Sequence, residues 1–333
     1  MRSSFVYDDA IVRVKSLPGG RSLVSVEARK PGVFIPVPAC ETSYPLELIR
    51  RILAVKAPAH LCDEIARDES PGYVQRSLRY ALLSYVSPEE LRGKTILDFG
   101  CGAGASTVVL GRMLPETQIV GVELDEKLLS VARLRARHHG LRNVSFFSSP
   151  GAVTLPPQVG EVDHAILSAV YEHLLPRERR TLLPRIWARI RPRGILLINQ
   201  TPHRYSPFES HTTSLPLINY LPDGLALFVA KRFSKRVNPD STWESLLRRG
   251  IRGGTVREIT GILRETCAKP VLLKPGKLGS RDRIDLWFRL SSAARLPASK
   301  KALATVLKAL SAATGVTLTP ELSLAIQKSV PTP

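Results

Sequence analysis

The chain has 333 residues, 44% of them hydrophobic, and its 48 lysines and arginines against 29 acids give a formal net charge of +19. That length and apolar share suit one large core or a core with appended pieces, and exclude a disordered or fibrous chain. No uninterrupted apolar run reaches bilayer-spanning length, the acid-bearing start lacks a signal-peptide centre, and four scattered cysteines (Cys40, Cys62, Cys101, Cys267) read as free thiols of a reducing, cytoplasmic compartment.

Residues 1–90 are expected to form a β-hairpin followed by a helical cap. Leu23 to Val26 and Val33 to Val37 are apolar patches bracketed by Gly19-Gly20 and Pro31-Gly32. Ser43 and Pro45 can open a helix whose stripe is Leu48, Ile49, Ile52 and Leu53. Pro71-Gly72 opens another, and Ser87-Pro88-Glu89-Glu90 has the form of a capping box. Stripes at helical spacing usually mean core, so these residues are given no chemistry.

Residues 91–200 alternate strand and helix, which demands a parallel sheet. Thr95–Phe99 is a short apolar strand, broken by Gly100, Gly102 and Gly104 before a helix over 105–114. Such a bend lets backbone approach a ligand closely and aims free helix N–H groups at it. Further strands follow at Gln118–Glu123, Val144–Ser148, 162–167 and 195–199. A helix over 125–139 ends in His138-His139-Gly140, where cationic residues and a glycine need no ligand to explain them. The arginine-rich segment 177–191 is a further helix, packing Ile186, Trp187 and Ile190.

The glycines alone also fit a dinucleotide site. Asp98, just before them, would repel a pyrophosphate and suits a cationic ligand, which disfavours a nicotinamide-dependent oxidoreductase. Glu123, about twenty residues on, stands where an acid can hold ribose hydroxyls. A ribose, a cationic tail and no phosphate describe S-adenosylmethionine.

Asp98-x-Gly100-x-Gly102-x-Gly104 with Val120-Gly121-Val122-Glu123 resembles the first two motifs of class I S-adenosylmethionine-dependent methyltransferases. Residues 162–170 with Tyr171-Glu172-His173-Leu174 resemble that family's fourth strand and its "EHL" turn. RIRPRGILLIN resembles the entry to its fifth strand, with Arg193 in place of a glycine. The likeness spans residues 91–202. It implies an α/β, Rossmann-like fold: a seven-stranded, mostly parallel sheet with helices on both faces, an N-terminal helical cap and a helical insertion after strand five. It also implies that Asp98, Gly100, Cys101, Gly102, Gly104, Glu123 and Leu124 surround the cofactor. Where the family often carries "G-D-A" after strand three, this chain has Ser149-Pro150-Gly151-Ala152, leaving Ser149 as the side chain for the adenine.

Residues 201–267 form the expected substrate loop and helical insertion. The loop leaves the carboxyl end of strand five, where open α/β sheets bind ligands, and resembles one in a bacterial methyltransferase subgroup. His211 and His203 are candidate general bases, with Glu209 as partner or alternative and His173, at the end of the fourth strand, as a further candidate. Tyr171, His173, Arg204, Thr212, Asn219 and Tyr220 are candidate substrate contacts; the plainer reading is that the loop's polar groups tie it down internally. Glu172-His173 and Glu209-x-His211 are weak ligand spacings and no H-E-x-x-H occurs, so no metal is expected. The turn at 249–255 reads as an ordinary helix break. Within 268–291, the segments 270–273 and Arg283–Leu290 alternate as closing strands. Within 292–333 an amphipathic helix over 299–314 is expected to pack Leu303, Val306, Leu307 and Leu310 on the domain in preference to a membrane, ahead of a frayed tail.

These features imply methyl transfer from S-adenosylmethionine to a small-molecule or lipid-linked acceptor by in-line displacement. Positioning of that kind lowers a barrier by roughly 7–11 kcal/mol. The charge keeps an anionic acceptor, peripheral membrane contact and methylation of RNA or another polyanion open. Against nucleic acid, Ser168-Ala169-Val170-Tyr171 replaces the Asn/Asp-Pro-Pro-Tyr motif of base methyltransferases, and 6% aromatics offer few stacking platforms. A binder that keeps the fold without catalysis is the remaining alternative.

Overall fold

The computed structural model describes residues 2–266, 268–290 and 298–330. The chain begins with β1 (Arg2–Val6), β2 (Ala10–Ser16), β3 (Ser22–Ala28) and β4 (Ala39–Thr42), which form a four-stranded antiparallel sheet in sequence order. The expected hairpin is therefore larger, and its second strand is misplaced. Val33 to Val37 are not a strand; β3 pairs with β4 instead, Val24 opposite Cys40. Pro36 and Pro38 supply no N–H for a ladder, which accounts for the shift.

Helices α1 (Leu46–Leu53) and α2 (Leu61–Glu69) follow. Ser43 does not cap α1: its hydroxyl binds Glu69 and the ring of His138. The buried faces of β2, β3, α1 and α2 share one core with Ala103 of the glycine bend and Val131. Helix α3 (Arg76–Leu83) leads to the capping box, which forms as expected: Ser87 N–H donates to Glu90 at 2.7 Å and Glu90 N–H to the Ser87 hydroxyl at 3.4 Å.

The central sheet is built from β5 (Thr95–Phe99), β6 (Gln118–Glu123), β7 (Val144–Ser148), β8 (Val162–Ser168) and β9 (Ile190–Pro202), all parallel. Between them run α4 (Ala105–Met113), α5 (Glu126–His138) and α6 (Pro176–Arg189). Beyond β9 lie a small ribbon of β10 (Phe208–Glu209) and β11 (Leu215–Pro216), then α7 (Asp223–Phe233), α8 (Trp243–Arg248) and α9 (Val256–Arg264). The chain closes with β12 (Pro270–Leu272), α10 (Arg283–Leu290), α11 (Ala298–Thr314) and β13 (Glu321–Lys328). The seven-stranded order is β12-β13-β9-β8-β5-β6-β7, with β13 antiparallel to both neighbours.

Period-two alternation sorts this sheet's side chains. Leu97, Phe99, Leu196 and Ile198 pack beneath α6 and α9. Ile96, Ile166, Ile195 and Leu197 meet α3 and α4 on the other face. The predicted architecture of a mostly parallel sheet with helices on both faces is thus present. One predicted strand is not: Arg283–Leu290 is helical, opened by the Asp282 carboxylate, which accepts the Asp285 N–H at 2.7 Å. The seventh strand is β13, whose Leu322, Leu324 and Ile326 alternate into the core.

The helix expected at 299–314 exists, but its apolar stripe is packed only in part, with Leu307 half-buried. Leu303, Val306 and Leu310 remain exposed, and Lys308 ties the helix to Asp282 and Asp285. His138 and His139 do more than end a helix: His139 binds buried Asp68 at 3.1 Å, beside buried Arg135. Cys40, Cys62 and Cys101 are free thiols; Cys267 and the end of the predicted tail lie outside the described residues. No helix among the described residues is long and apolar enough to cross a membrane.

Candidate functional site

At the carboxyl end of β5 the chain turns through Gly100, Gly102 and Gly104, all with positive φ. A Cβ on Gly100 would stand 2.6 Å from a methyl of Val170, and one on Gly104 would stand 2.5 Å from Ala132 Cβ. These two glycines let β8 and α5 close on the bend; at Gly102 a Cβ would meet nothing within 4 Å.

Asp98 was expected at the mouth of the bend, facing the ligand. It is instead buried beneath it, accepting the Thr107 hydroxyl at 2.7 Å. Burial pushes its carboxyl up to about 6, against the hydroxyls of Thr107 and Ser106. Cys101 is also buried, its thiol pushed up by burial and the charges of Asp98 and Glu123.

Glu123 ends β6 as expected. One carboxylate oxygen accepts the Gly102 N–H at 2.9 Å; the other accepts those of Leu124 at 2.7 Å and Asp125 at 3.2 Å. This carboxylate edges a cavity of about 360 Å³. Gly100, Leu124 and Ser149 also line it, together with Gly151, Ala152 and Val170. The Ser149 hydroxyl donates to the Gly151 carbonyl at 2.8 Å with that of Thr154 also close, so its oxygen is left to accept. At the far side Ala169 takes a left-handed conformation, φ 54°, as the strand ends against the cavity.

His173 and Arg248 also line the cavity. His173 Nδ1 donates to the Arg248 carbonyl at 2.7 Å, which leaves Nε2 with its lone pair. Its neighbour Glu172 is fully buried. One of its oxygens accepts the Thr201 hydroxyl at 3.0 Å and the other, Oε1, has no hydrogen-bond partner. Burial pushes this carboxyl up to about 7. His211 reaches the same point: its ring centroid lies 5.7 Å from that of His173. Partial enclosure of its ring, which keeps an exposed edge, and the neighbouring His173 hold His211 below the ordinary imidazole range.

The other loop candidates are not brought to this cavity. Glu209 is spent on its own turn, accepting the N–H groups of His211 and Thr212 at 2.8 Å each, and both the N–H and the hydroxyl of Thr213. It is an anchor, not a partner for the His211 ring. Thr212 donates to the Arg249 carbonyl, Arg204 to that of Asn219, Asn219 to that of Ser206, and Tyr220 to that of Tyr205. Tyr171 is core, its ring under the Arg179 guanidinium at 4.4 Å. His203 lines a separate groove with Arg283, and its Nδ1 accepts the Tyr205 N–H. The break at 249–255 is tied by buried Arg252, which donates to three carbonyls and Asp223. The plainer reading of the loop, internal hydrogen bonding, thus describes most of its polar residues.

Sequence reasoning missed Glu172, Arg248 and Gly250 as parts of one place. A Cβ on Gly250 (φ +92°) would come within 2.8–3.1 Å of the His211 ring and Glu172. The doublet Glu172-His173 was visible; its convergence with two distant segments had no local signal.

Residues 96–194 match the family described as a methyltransferase domain. A trans-aconitate 2-methyltransferase of Variovorax paradoxus is 30% identical over 120 residues, 36% of this chain and 42% of that protein. A ribosomal protein L11 methyltransferase of Vibrio campbellii is 27% identical over 117 residues, 35% of this chain and 37% of that protein. The chain spans well under half of either relative's length. An O-methyltransferase family protein of Burkholderia thailandensis superposes with a TM-score of 0.41 and 17% identity over 65% of this chain and 58% of that one.

Proposed function

We propose that the protein transfers the methyl group of S-adenosylmethionine to a small or lipid-linked acceptor, a reading supported by the methyltransferase-domain match over residues 96–194 and by the mostly parallel seven-stranded sheet that holds them. The observation that carries the reading is the cavity itself: a phosphate-repelling pair, Glu123 at the rim and Asp98 beneath, around a glycine bend left open at Gly102. Glu123 retains acceptor capacity for ribose hydroxyls beyond its backbone donors, and the loop from Ser149 to Ala152 offers the adenine a backbone edge with one hydroxyl acceptor.

The bound donor supplies a methyl group on a positively charged sulfur. In the displacement the carbon–sulfur bond breaks as the bond to the acceptor forms, the sulfur leaves neutral, and an acceptor hydroxyl gives up its proton. Arg248 and His173 bound the acceptor side of the cavity. His211, held neutral near pH 7, is the base in reach of that rim and takes the proton on its ring nitrogen. Glu209 fixes the turn that presents it.

A lipid-linked acceptor is supported by α7, which leaves Leu225, Phe228 and Phe233 exposed next to Lys231 and Arg232. Apolar side chains beside cations suit an interface with anionic headgroups.

Titrating the donor by calorimetry tests the reading. Binding is expected in the parent chain and should be weakened in Glu123→Ala; a silent titration of folded protein would remove it. Radiolabelled donor offered with soluble and lipid extracts then locates the product.

A further inference from the structure

We propose that Glu172, His173 and His211 form a binding site for a divalent first-row transition-metal ion at the acceptor edge of the cofactor cavity. Each residue offers one ligand atom, and these atoms lie within 4.8 Å of one another; no other such group of three occurs among the described residues. A single ion bonded at about 2.0–2.2 Å to each would draw them slightly closer. His211 is exposed and His173 half-exposed, so their rings have room to turn.

Glu172 gives the arrangement its meaning. It is wholly buried, and Oε1 has no donor: His173 Nε2 is 3.8 Å away, beyond a hydrogen bond. In the ionised carboxylate this oxygen only accepts, and leaving it without a donor in the interior is costly; a cation would satisfy it. The surrounding contacts are those that orient ligands. The Arg248 carbonyl takes the Nδ1 proton of His173 and leaves Nε2 free to bind. The Thr201 hydroxyl holds the other oxygen of Glu172, and Glu209 fixes the backbone of His211. Gly250 keeps open the space a side chain would fill against both His211 and Glu172.

Two imidazoles and one carboxylate favour zinc, iron, cobalt or nickel over magnesium or calcium, which prefer all-oxygen cages. Three protein ligands leave positions open for an acceptor oxygen. With an ion bound, an acceptor hydroxyl on it would lose its proton to solvent near neutral pH and His211 would serve as a ligand; the base role given to His211 above belongs to the metal-free chain. That role rests on the methyl-transfer reading; the binding itself does not. The expectation of no metal weighed Glu172-His173 and Glu209-x-His211 as chain neighbours, whereas the fold exchanges Glu209 for Glu172.

The test uses the full chain without a tag. Cobalt(II) is added while its visible ligand-field bands are recorded, and zinc(II) is titrated by calorimetry. The expected result is one ion per chain with cobalt bands that disappear in His211→Ala. Because His211 is exposed, that variant should melt like the parent in the absence of metal. Thr201→Val should weaken zinc by the roughly 10–100-fold typical of a lost outer partner. No bound cobalt, or bands untouched by His211→Ala, would overturn the proposal. Donor titration of the same parent sample keeps the two readings apart: donor without cobalt refutes the metal site alone, and cobalt without donor refutes the methyltransferase reading alone.

Discussion

Asp98 shows how one buried carboxylate sets stability against binding. Its ordinary value of 3.8 is raised to about 6 in the folded chain, chiefly by burial, with a smaller push from Glu123. Between these values the folded state holds a proton that the unfolded state has released, so stability falls as pH rises through this window. A shift of about two units corresponds to ~3 kcal/mol, present below pH 4 and lost above pH 6. Asp98→Asn can still accept from Thr107, and should unfold at higher temperature than the parent at pH 7.5 while gaining little at pH 4. The same change should weaken a cationic donor, and the parent's affinity should climb between pH 5 and pH 7. Thermal melts and donor titrations at both pH values decide this; equal melting points at pH 7.5 would refute the assignment. The glycines of the bend separate in the same way. Gly104→Ala drives a Cβ onto Ala132 and should prevent folding or cost several kcal/mol, whereas Gly102→Ala pays only for φ +55°, roughly 1–2 kcal/mol. Gly102→Ala should therefore remain folded and bind the donor poorly, because its new methyl stands where the bend is open.

At the scale of elements, the turn after β10 depends on a single buried side chain. Glu209 satisfies three consecutive N–H groups and one hydroxyl at only 3% exposure. Hydrogen bonds to a charged group contribute about 1.5–3 kcal/mol each, and the stranded donors would have to find water. Glu209→Ala should speed amide exchange at residues 211–213 and abolish turnover while the donor still binds, since none of these residues lines the cavity proposed for the donor. Unchanged exchange would show that the turn is held by something else. Elements also mark where reading from sequence succeeds. The five parallel strands and the capping box were legible because periodicity and capping are local. Arg283–Leu290 was not: Ile284, Leu286 and Trp287 are buried, a set that fits two-residue alternation nearly as well as a short helix, and Asp282 decides for the helix. The stripe of α11 was legible, but its packing partner was not, because stripes report a face and not what covers it.

At the scale of the whole molecule, the glycine bend could be read from one stretch of sequence, whereas the acceptor rim could not. Glu172, His211 and Gly250 come from three segments that meet only once the sheet is closed. The strand that closes it is β13, from near the C-terminus, lying between β12 and β9. Its pairing sets Leu322 opposite Thr201, the residue that holds Glu172, and Ser323 donates to Asn199 at 3.1 Å. The last of the described strands thereby supports the start of the loop that follows β9. Leu322, Leu324 and Ile326 are each no more than 1% exposed. Burying each contributes about 1.5–3 kcal/mol, so their loss alone approaches the ~5–15 kcal/mol by which domains are stable. A chain ending after Thr314 should consequently lack a cooperative thermal transition and lose donor binding, although the bend itself is untouched. Leu324→Ala is the milder form, expected to cost ~2–5 kcal/mol with donor affinity kept below the lowered melting point. If the shortened chain melted cooperatively at the parent's temperature, β13 would be an accessory strand, and the β9 end of the site would have to be held by other means.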